Sequence, residues 1–170
     1  SGKLGKALKL GGESDYLKIS PIDLKNRPFT LTAWLRIDEY IEPHDEFPLF
    51  SGGVREKSKG LHVGVRVKRP WFGFYANDVQ GISELSTGKW YFLAFVQQAE
   101  HHEAPTGPDE AKETGTLQKA YWTASREIYV DGELDMARKC EPYQATLDYV
   151  GTFWGDLKAN GALDEIRLYD

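Results

Sequence analysis

Polar and apolar residues alternate with a period of two over much of the chain. In "FTLTAWLRI" (29 to 37), Phe29, Leu31, Ala33, Leu35 and Ile37 fall on one face and Thr30, Thr32, Trp34 and Arg36 on the other. That pattern predicts a strand with one face on a core. "GLHVGVRVK" (60 to 68) alternates in the same way, with Leu61, Val63, Val65 and Val67 opposed by His62, Gly64 and Arg66. "KWYFLAFVQ" (89 to 97) is apolar on both faces and predicts a central strand covered on each side. "REIYV" (126 to 130) and "ELDMARK" (133 to 139) flank Asp131-Gly132, a pair suited to the positive φ of a two-residue type I′ turn. "NGALDEIRLY" (160 to 169) opens on an Asn-Gly turn signal and closes the chain as a strand.

No helical period competes with these strands, and 17 glycines punctuate them. The expected fold class is all-β: two antiparallel sheets packed as a β-sandwich of jelly-roll, concanavalin-like type. A chain of 170 residues can bury a core without disulfide or metal staples, so residues 1–170 are expected to form one domain. One segment breaks the rhythm. "QQAEHHEAPTGPDEAKETGTLQKAYWTAS" (97 to 125) is polar, carries Pro105, Gly107, Pro108 and Gly115, and lies between two strong strands. Connections that long are usually functional or disordered. The expectation is an insertion over about 97–125, including His101 and His102. Its middle, around 100 to 116, is too polar to pack, and its end, with Tyr121 and Trp122, settles back on the body.

Hydrophobic residues make up 41% of the chain and charged residues 28%. No apolar run approaches the roughly 18 residues a membrane span needs, so membrane insertion is not expected. A formal net charge of -5 provides no basic field for a phosphate backbone, and nucleic acid is not an expected partner. Cys140 is the single cysteine, which excludes an internal disulfide and a metal site built on paired thiolates. No signal peptide is visible. Ser1-Gly2 has the look of a dipeptide left by trimming, and the expectation is that the chain is part of a longer protein.

Four stretches, in order, carry a resemblance: "GKALKLGGESDYLKI" (5 to 19), "FTLTAWLRI" (29 to 37), "GKWYFLAFV" (88 to 96) with "IYVDGEL" (128 to 134), and "GALDEIRLYD" (161 to 170). Together they resemble the LamG-like domains of the concanavalin A-like lectin/glucanase superfamily. The resemblance implies a jelly roll of two curved sheets acting as a binding module, with glycan or glycoprotein as partner and an extracellular or cell-surface setting. It also implies a structural Ca²⁺ where the chain ends meet, with Glu13 and Asp15 from "GGESD" and Asp164 from "ALDEI" as candidate ligands; oxygen donors suit that hard cation. Capping and surface charge are the competing reading of those carboxylates. The 97–125 insertion and the lone cysteine depart from the family pattern.

Glucanases of the same superfamily resemble Glu-x-Asp-x-x-Glu or Glu-x-Asp-x-Glu on one strand, a spacing that lines carboxylates beneath one glycosidic bond. Here Glu133 and Asp135 supply the first two positions, but the third is Ala137 or Arg138, and neither is a general acid. Retaining hydrolysis needs two carboxyl groups about 5 Å apart. His44, His62, His101 and His102 do not fall at metal-ligand spacing, and Cys140 has no activating histidine nearby in the sequence. The expectation is a protein without catalytic residues, with a glucanase-like hydrolase as the remote alternative.

Sugar binding uses flat apolar faces against pyranose C–H groups, with polar groups set beside them. "KRPWFGFYANDVQG" (68 to 81) concentrates Arg69, Trp71, Tyr75, Asn77 and Asp78. In an extended run Trp71, Gly73 and Tyr75 share one face and Phe72, Phe74 and Ala76 the other. One set lines the core and the other either meets a ligand or is covered by the insertion; both readings stay open. Trp122 and Trp154 join the candidate ligand-binding set, whereas Trp34 and Trp90, inside regular strands, read as packing. The expected function is a non-catalytic carbohydrate-binding module. The alternative is a protein-interaction module that uses the 97–125 segment.

Overall fold

The computed structural model describes residues 2–103 and 120–170. Its strands are β1 (Leu8–Gly11), β2 (Leu17–Asp23), β3 (Phe29–Glu39), β4 (Phe47–Gly53), β5 (Gly60–Arg66), β6 (Arg69–Gly73) and β7 (Asp78–Gln80). They continue as β8 (Trp90–His102), β9 (Tyr121–Val130), β10 (Glu133–Cys140), β11 (Thr146–Val150), β12 (Thr152–Phe153), β13 (Leu157–Lys158) and β14 (Asn160–Tyr169). One antiparallel sheet runs β1-β14-β3-β8-β9-β10 and the other β2-β11-β4-β5-β6-β7, while β12 and β13 form a small hairpin. This is the expected all-β sandwich. The first and last strands pair as neighbours, Leu8 opposite Leu163.

Period two decides what fills the space between the sheets. Leu31, Ala33, Leu35 and Ile37 of β3 meet Leu61, Val63 and Val65 of β5, all buried. Phe72 and Phe74 also turn inward. Phe74 stacks on Tyr143 at 4.2 Å, and Phe29 sets its edge against Phe72, Phe74 and Tyr143. Of the two faces expected in the 71–76 run, the phenylalanines therefore went to the core. Val67 did not follow its strand. With Lys68 it forms the β5–β6 turn, both at positive φ, and its side chain is exposed.

Several expectations need correction. Strand β8 runs to His102 and β9 begins at Tyr121, paired His102 with Tyr121 and His101 with Trp122. Residues 97–102 and 121–125 are thus ladder, because cross-strand ring pairs (His101–Trp122 at 4.8 Å, His102–Tyr121 at 4.6 Å) support the extended arms. Residues 104–119 lie outside the described residues, as does most of the 100–116 stretch. Strand β8 is interior to its sheet, but only one of its faces meets the core: Leu93, Phe95 and Gln97 are buried there, with Tyr91 and Ala99 partly buried beside them. Trp34, Trp90 and Phe92 lie half-buried on the sheet's outer face, where Trp34 packs on Phe92 at 5.4 Å and Arg36 covers Trp90. Asn160-Gly161 is not a turn. It sits within β14 at a register shift, where a Cβ on Gly161 would strike the Arg36 carbonyl. The Asp131-Gly132 turn has the expected type I′ signs, with φ of 52° and 90°.

Two polar side chains tie one sheet to the other. Asp135 sits at the bulge between Leu134 and Met136, so its carboxylate points inward. It accepts the backbone N–H groups of Ile82 (2.9 Å) and Ser83 (3.0 Å), just past β7. Asp135→Ala orphans both amides and should cost about 1–3 kcal/mol by denaturant unfolding; an unchanged midpoint would contradict this role. The second tie is Arg126 of β9. It is fully buried and donates from Nε to Gln97 Oε1 at 2.7 Å and from Nη1 to the Asn77 carbonyl in the β6–β7 turn.

Candidate functional site

The outward residues of the second sheet build the site. Register places His62 opposite Gly73, Gly64 opposite Trp71, and Gly73 opposite Asp78. Alternation that sends Leu61, Val63 and Val65 inward leaves His62, Gly64 and Arg66 facing out, beside Trp71 of β6. Gly73 lets two polar groups meet across the strand. A Cβ there would stand 2.5 Å from His62 Nε2 and closer still to Asp78 Oδ1.

Two turns close the walls. Tyr75 and Ala76 bend β6 into β7 at φ of 54° and 56°, with Phe74 N–H donating to Asn77 O at 3.1 Å. Neither residue is one that tolerates this region easily, so the turn needs external ties. Asn77 Nδ2 donates to Ser58 Oγ and to Glu141 O, both at 3.0 Å, Ser58 N–H donates to Tyr75 O, and Arg126 holds the Asn77 carbonyl. The second turn is the β12–β13 hairpin, with Trp154 and Gly155 at φ of 53° and 82°. Trp154 Nε1 donates to the carbonyls of Gly52 and Gly53, which fixes its ring over the sheet.

The result is a cavity of about 470 Å³ lined by His62, Arg66, Trp71, Tyr75, Trp154 and Asp78, with Glu46, Arg55, Phe153 and Asp156 among its rim residues. Its rings stand close together. His62 lies 5.7 Å from Trp154 and 6.1 Å from Trp71, and Trp154 lies 6.3 Å from Tyr75. Trp71 and Trp154 are half-buried, and Tyr75 is exposed. The cations on the rim are already matched. Arg66 donates to the buried Glu46 at 2.7 Å and lies over Trp71, while Arg55 pairs with Asp156 and lies over Trp154. Among the residues lining the cavity, two buried polar atoms, Trp71 Nε1 and Asp78 Oδ1, have no hydrogen-bond partner among the described residues.

Of the residues singled out in the sequence, Trp71, Tyr75, Asp78 and Trp154 converge on this cavity. The others do not. Arg69 lies 3.5 Å from Glu84 at the edge, Asn77 is a buried turn tie, and Trp122 belongs to the β8–β9 arm. His62, Arg66 and Glu46 carry no motif that marks them as site residues in the sequence, although the alternation of 60–66 does set His62 and Arg66 on the outer face.

The aspartate carboxylates at the chain ends bond to backbone amides. Asp164 Oδ2 accepts Leu4 N–H at 2.8 Å and its Oδ1 accepts Glu165 N–H at 2.9 Å, while Asp15 Oδ2 accepts Gly11 N–H at 2.9 Å. Glu13 is exposed. Among the described residues no three acidic, histidine or cysteine side chains cluster around one point. The cause is local: each aspartate caps backbone amides of its own turn or of the N-terminal segment.

Burial holds the His62 imidazole below its ordinary value, and the Asp78 charge opposes that shift. The unfolded chain therefore takes up this proton more readily than the fold. Stability from this group is complete above the unfolded pKa of about 6.5 and is lost as pH falls below it. Thermal melts between pH 8 and 5 should show Tm falling in acid, with a shallower fall in His62→Gln; equal slopes would contradict the assignment.

Comparison with known proteins agrees with the fold. Residues 10–104 match the family model of the concanavalin A-like lectin/glucanases superfamily. No curated protein sequence matches the chain. Domain 4 of AbnA, an extracellular arabinanase from Geobacillus stearothermophilus solved with arabinotriose, superposes with a TM-score of 0.61 at 16% identity, covering 99% of this chain and 72% of that one. A heptameric SAP-like pentraxin of Limulus polyphemus gives 0.58 at 9% identity, covering 94% and 73%. Mouse laminin alpha1 domains LG4-5 give 0.60 at 13% identity, covering 95% of this chain and 40% of that one. At such identities the likeness speaks to fold, and the family match carries the assignment: the chain belongs to the concanavalin A-like lectin/glucanases superfamily.

Proposed function

We propose that the chain is a non-catalytic carbohydrate-binding module that takes a neutral sugar in the Trp71–Tyr75–Trp154 cavity. The observation that carries this reading is three rings around one cavity of ligand size with unpartnered polar atoms among them, the composition expected of a sugar pocket. A neutral ligand follows from the charges. Arg66 and Arg55 are spent on Glu46 and Asp156, so neither is free to receive a uronic or sulfated group. The solved arabinanase domain, which binds arabinotriose, supports an oligosaccharide as the first ligand to try.

The absence of a catalytic role is part of the proposal. Asp135 accepts two backbone amides, the third position of the glucanase pattern is Ala137 or Arg138, and Glu46 is held by Arg66. A protein-interaction module is the second reading, favoured by the half-buried Trp34, Trp90 and Phe92 on the outer face of the first sheet. The test is calorimetric titration with neutral arabino-, xylo-, gluco- and manno-oligosaccharides, using Trp122→Ala as a control. At least one should bind and should still bind the control. No binding by any sugar, with a protein captured through Trp34 and Trp90, would replace this reading with the second.

A further inference from the structure

His62 stands between two acceptors. Its Nδ1 lies 3.1 Å from Gly60 O and its Nε2 lies 3.5 Å from Asp78 Oδ1, with the side chain only 10% exposed. A neutral imidazole carries one N–H. If that hydrogen is on Nδ1 and given to Gly60, Nε2 becomes an acceptor facing a second acceptor. Asp78 Oδ1 is itself buried and accepts no hydrogen bond. Adjacent buried acceptors are costly until a donor reaches them. Gly73, lacking a Cβ, is what allows the approach. The missing donor is either a proton on Nε2 or a hydroxyl arriving from the cavity.

We propose that the sugar donates a hydroxyl hydrogen into the His62 Nε2–Asp78 Oδ1 pair, so that ligand and proton compete for one place and binding weakens on acidification. This rests on the glycan reading of the cavity and adds its recognition group and its pH response. Every charged group facing the ring is accounted for. Asp78 approaches from β7, Arg66 from β5 with Glu46 just before β4 bonded to it, and the Arg55–Asp156 pair closes the rim. Trp71, Tyr75, Phe153 and Trp154 complete the surround. Asp78 is therefore the one charge in the cavity without a cationic partner, and His62 is the group whose protonation would supply one. Burial favours the neutral ring, which leaves His62 Nε2 as the acceptor for a hydroxyl at neutral pH, with Asp78 Oδ1 buried behind it. A sugar whose contacting hydroxyl is methylated has no hydrogen to give and should bind poorly.

The test titrates the full chain with arabinotriose, or with whichever neutral oligosaccharide of the panel binds, at steps from pH 8 to 5. The His62 ring is followed by NMR with and without sugar. Affinity should be level at high pH and then fall by up to about tenfold per pH unit below the free His62 pKa. By reciprocity the sugar should push that pKa lower. Asp78→Asn, nearly isosteric, places an amide donor beside Nε2 and should weaken binding at pH 8 about tenfold or more. Affinity that stays flat, or rises, as pH falls to 5 overturns the proposal and leaves the glycan site standing. Failure of every sugar at every pH overturns both.

Discussion

Trp71→Ala should weaken oligosaccharide binding by about 30-fold or more while the domain stays folded. Central aromatic anchors in binding sites commonly contribute 2 kcal/mol or more, and Trp71 has the position of one. It stands on the outer face of β6 between His62 and the guanidinium of Arg66, in mid-strand, where the backbone ladder fixes it. Its indole N–H has no partner, so truncation breaks no hydrogen bond in the free protein. Because the ring is half-buried, the stability lost should stay within about 1–2 kcal/mol. Trp154→Ala is the less clean experiment, since that indole also ties the β12–β13 hairpin to Gly52 and Gly53. Parallel titration and melting of Trp71→Ala decide the matter. Loss of affinity with near-native Tm is expected, and undiminished affinity would remove the ring from the site.

The largest effect on stability is expected at Arg126. Its guanidinium is buried without an ion-pair partner among the described residues; it rests over Phe72 and Phe74, 5.5 and 4.5 Å from their ring centres, and one nitrogen, Nη2, has no hydrogen-bond partner. Burial accordingly lowers its pKa. Arg126→Ala leaves a cavity, an unpaired Gln97 Oε1 and a loosened Asn77 carbonyl, at a cost of about 3–5 kcal/mol. Arg126→Met fills the cavity but still leaves Gln97 Oε1 and the Asn77 carbonyl without their donor, so it should cost about 1–3 kcal/mol, less than Arg126→Ala. Because Arg126 holds the turn that presents Tyr75, both variants should also bind sugar more weakly. Denaturant unfolding of the pair separates packing from charge. An Arg126→Ala protein as stable as the native one would show that the tie carries no weight.

Legibility in the sequence follows the physics of each element. Strand β3 was readable because a half-buried antiparallel strand imposes strict alternation, and β10 with its turn because Asp-Gly supplies the positive φ the hairpin demands. The Phe72/Phe74 and Trp71/Tyr75 sets were separable by parity, but parity alone does not say which set faces the core. The answer came from Tyr143 and Phe29, distant in sequence, which claim the phenylalanines. Strand β8 was misleading: apolar on both faces, it has one face on the core and one on an open sheet surface where Phe92 packs on Trp34 and Arg36 covers Trp90. The polar arms of β8 and β9 read as loop because their pairing lies between strands, in ring contacts such as His101 with Trp122. The non-glycine turns at Val67-Lys68 and Tyr75-Ala76 broke no local pattern, since their support comes from elsewhere in the fold. His62 was visible as an outward residue, but its closeness to Asp78 depends on Gly73 in the neighbouring strand.

In the proposed function the rings of the second sheet's outer face receive the sugar. The most direct measurement is an NMR titration of the labelled domain with a neutral oligosaccharide, following the five indole N–H signals and the His62 ring. Trp71, Trp154 and His62 should shift together with a common dissociation constant while Trp34, Trp90 and Trp122 stay in place. Shifts centred on Trp34 and Trp90, or on Trp122 in the β8–β9 arm, with Trp71 unmoved, would contradict it.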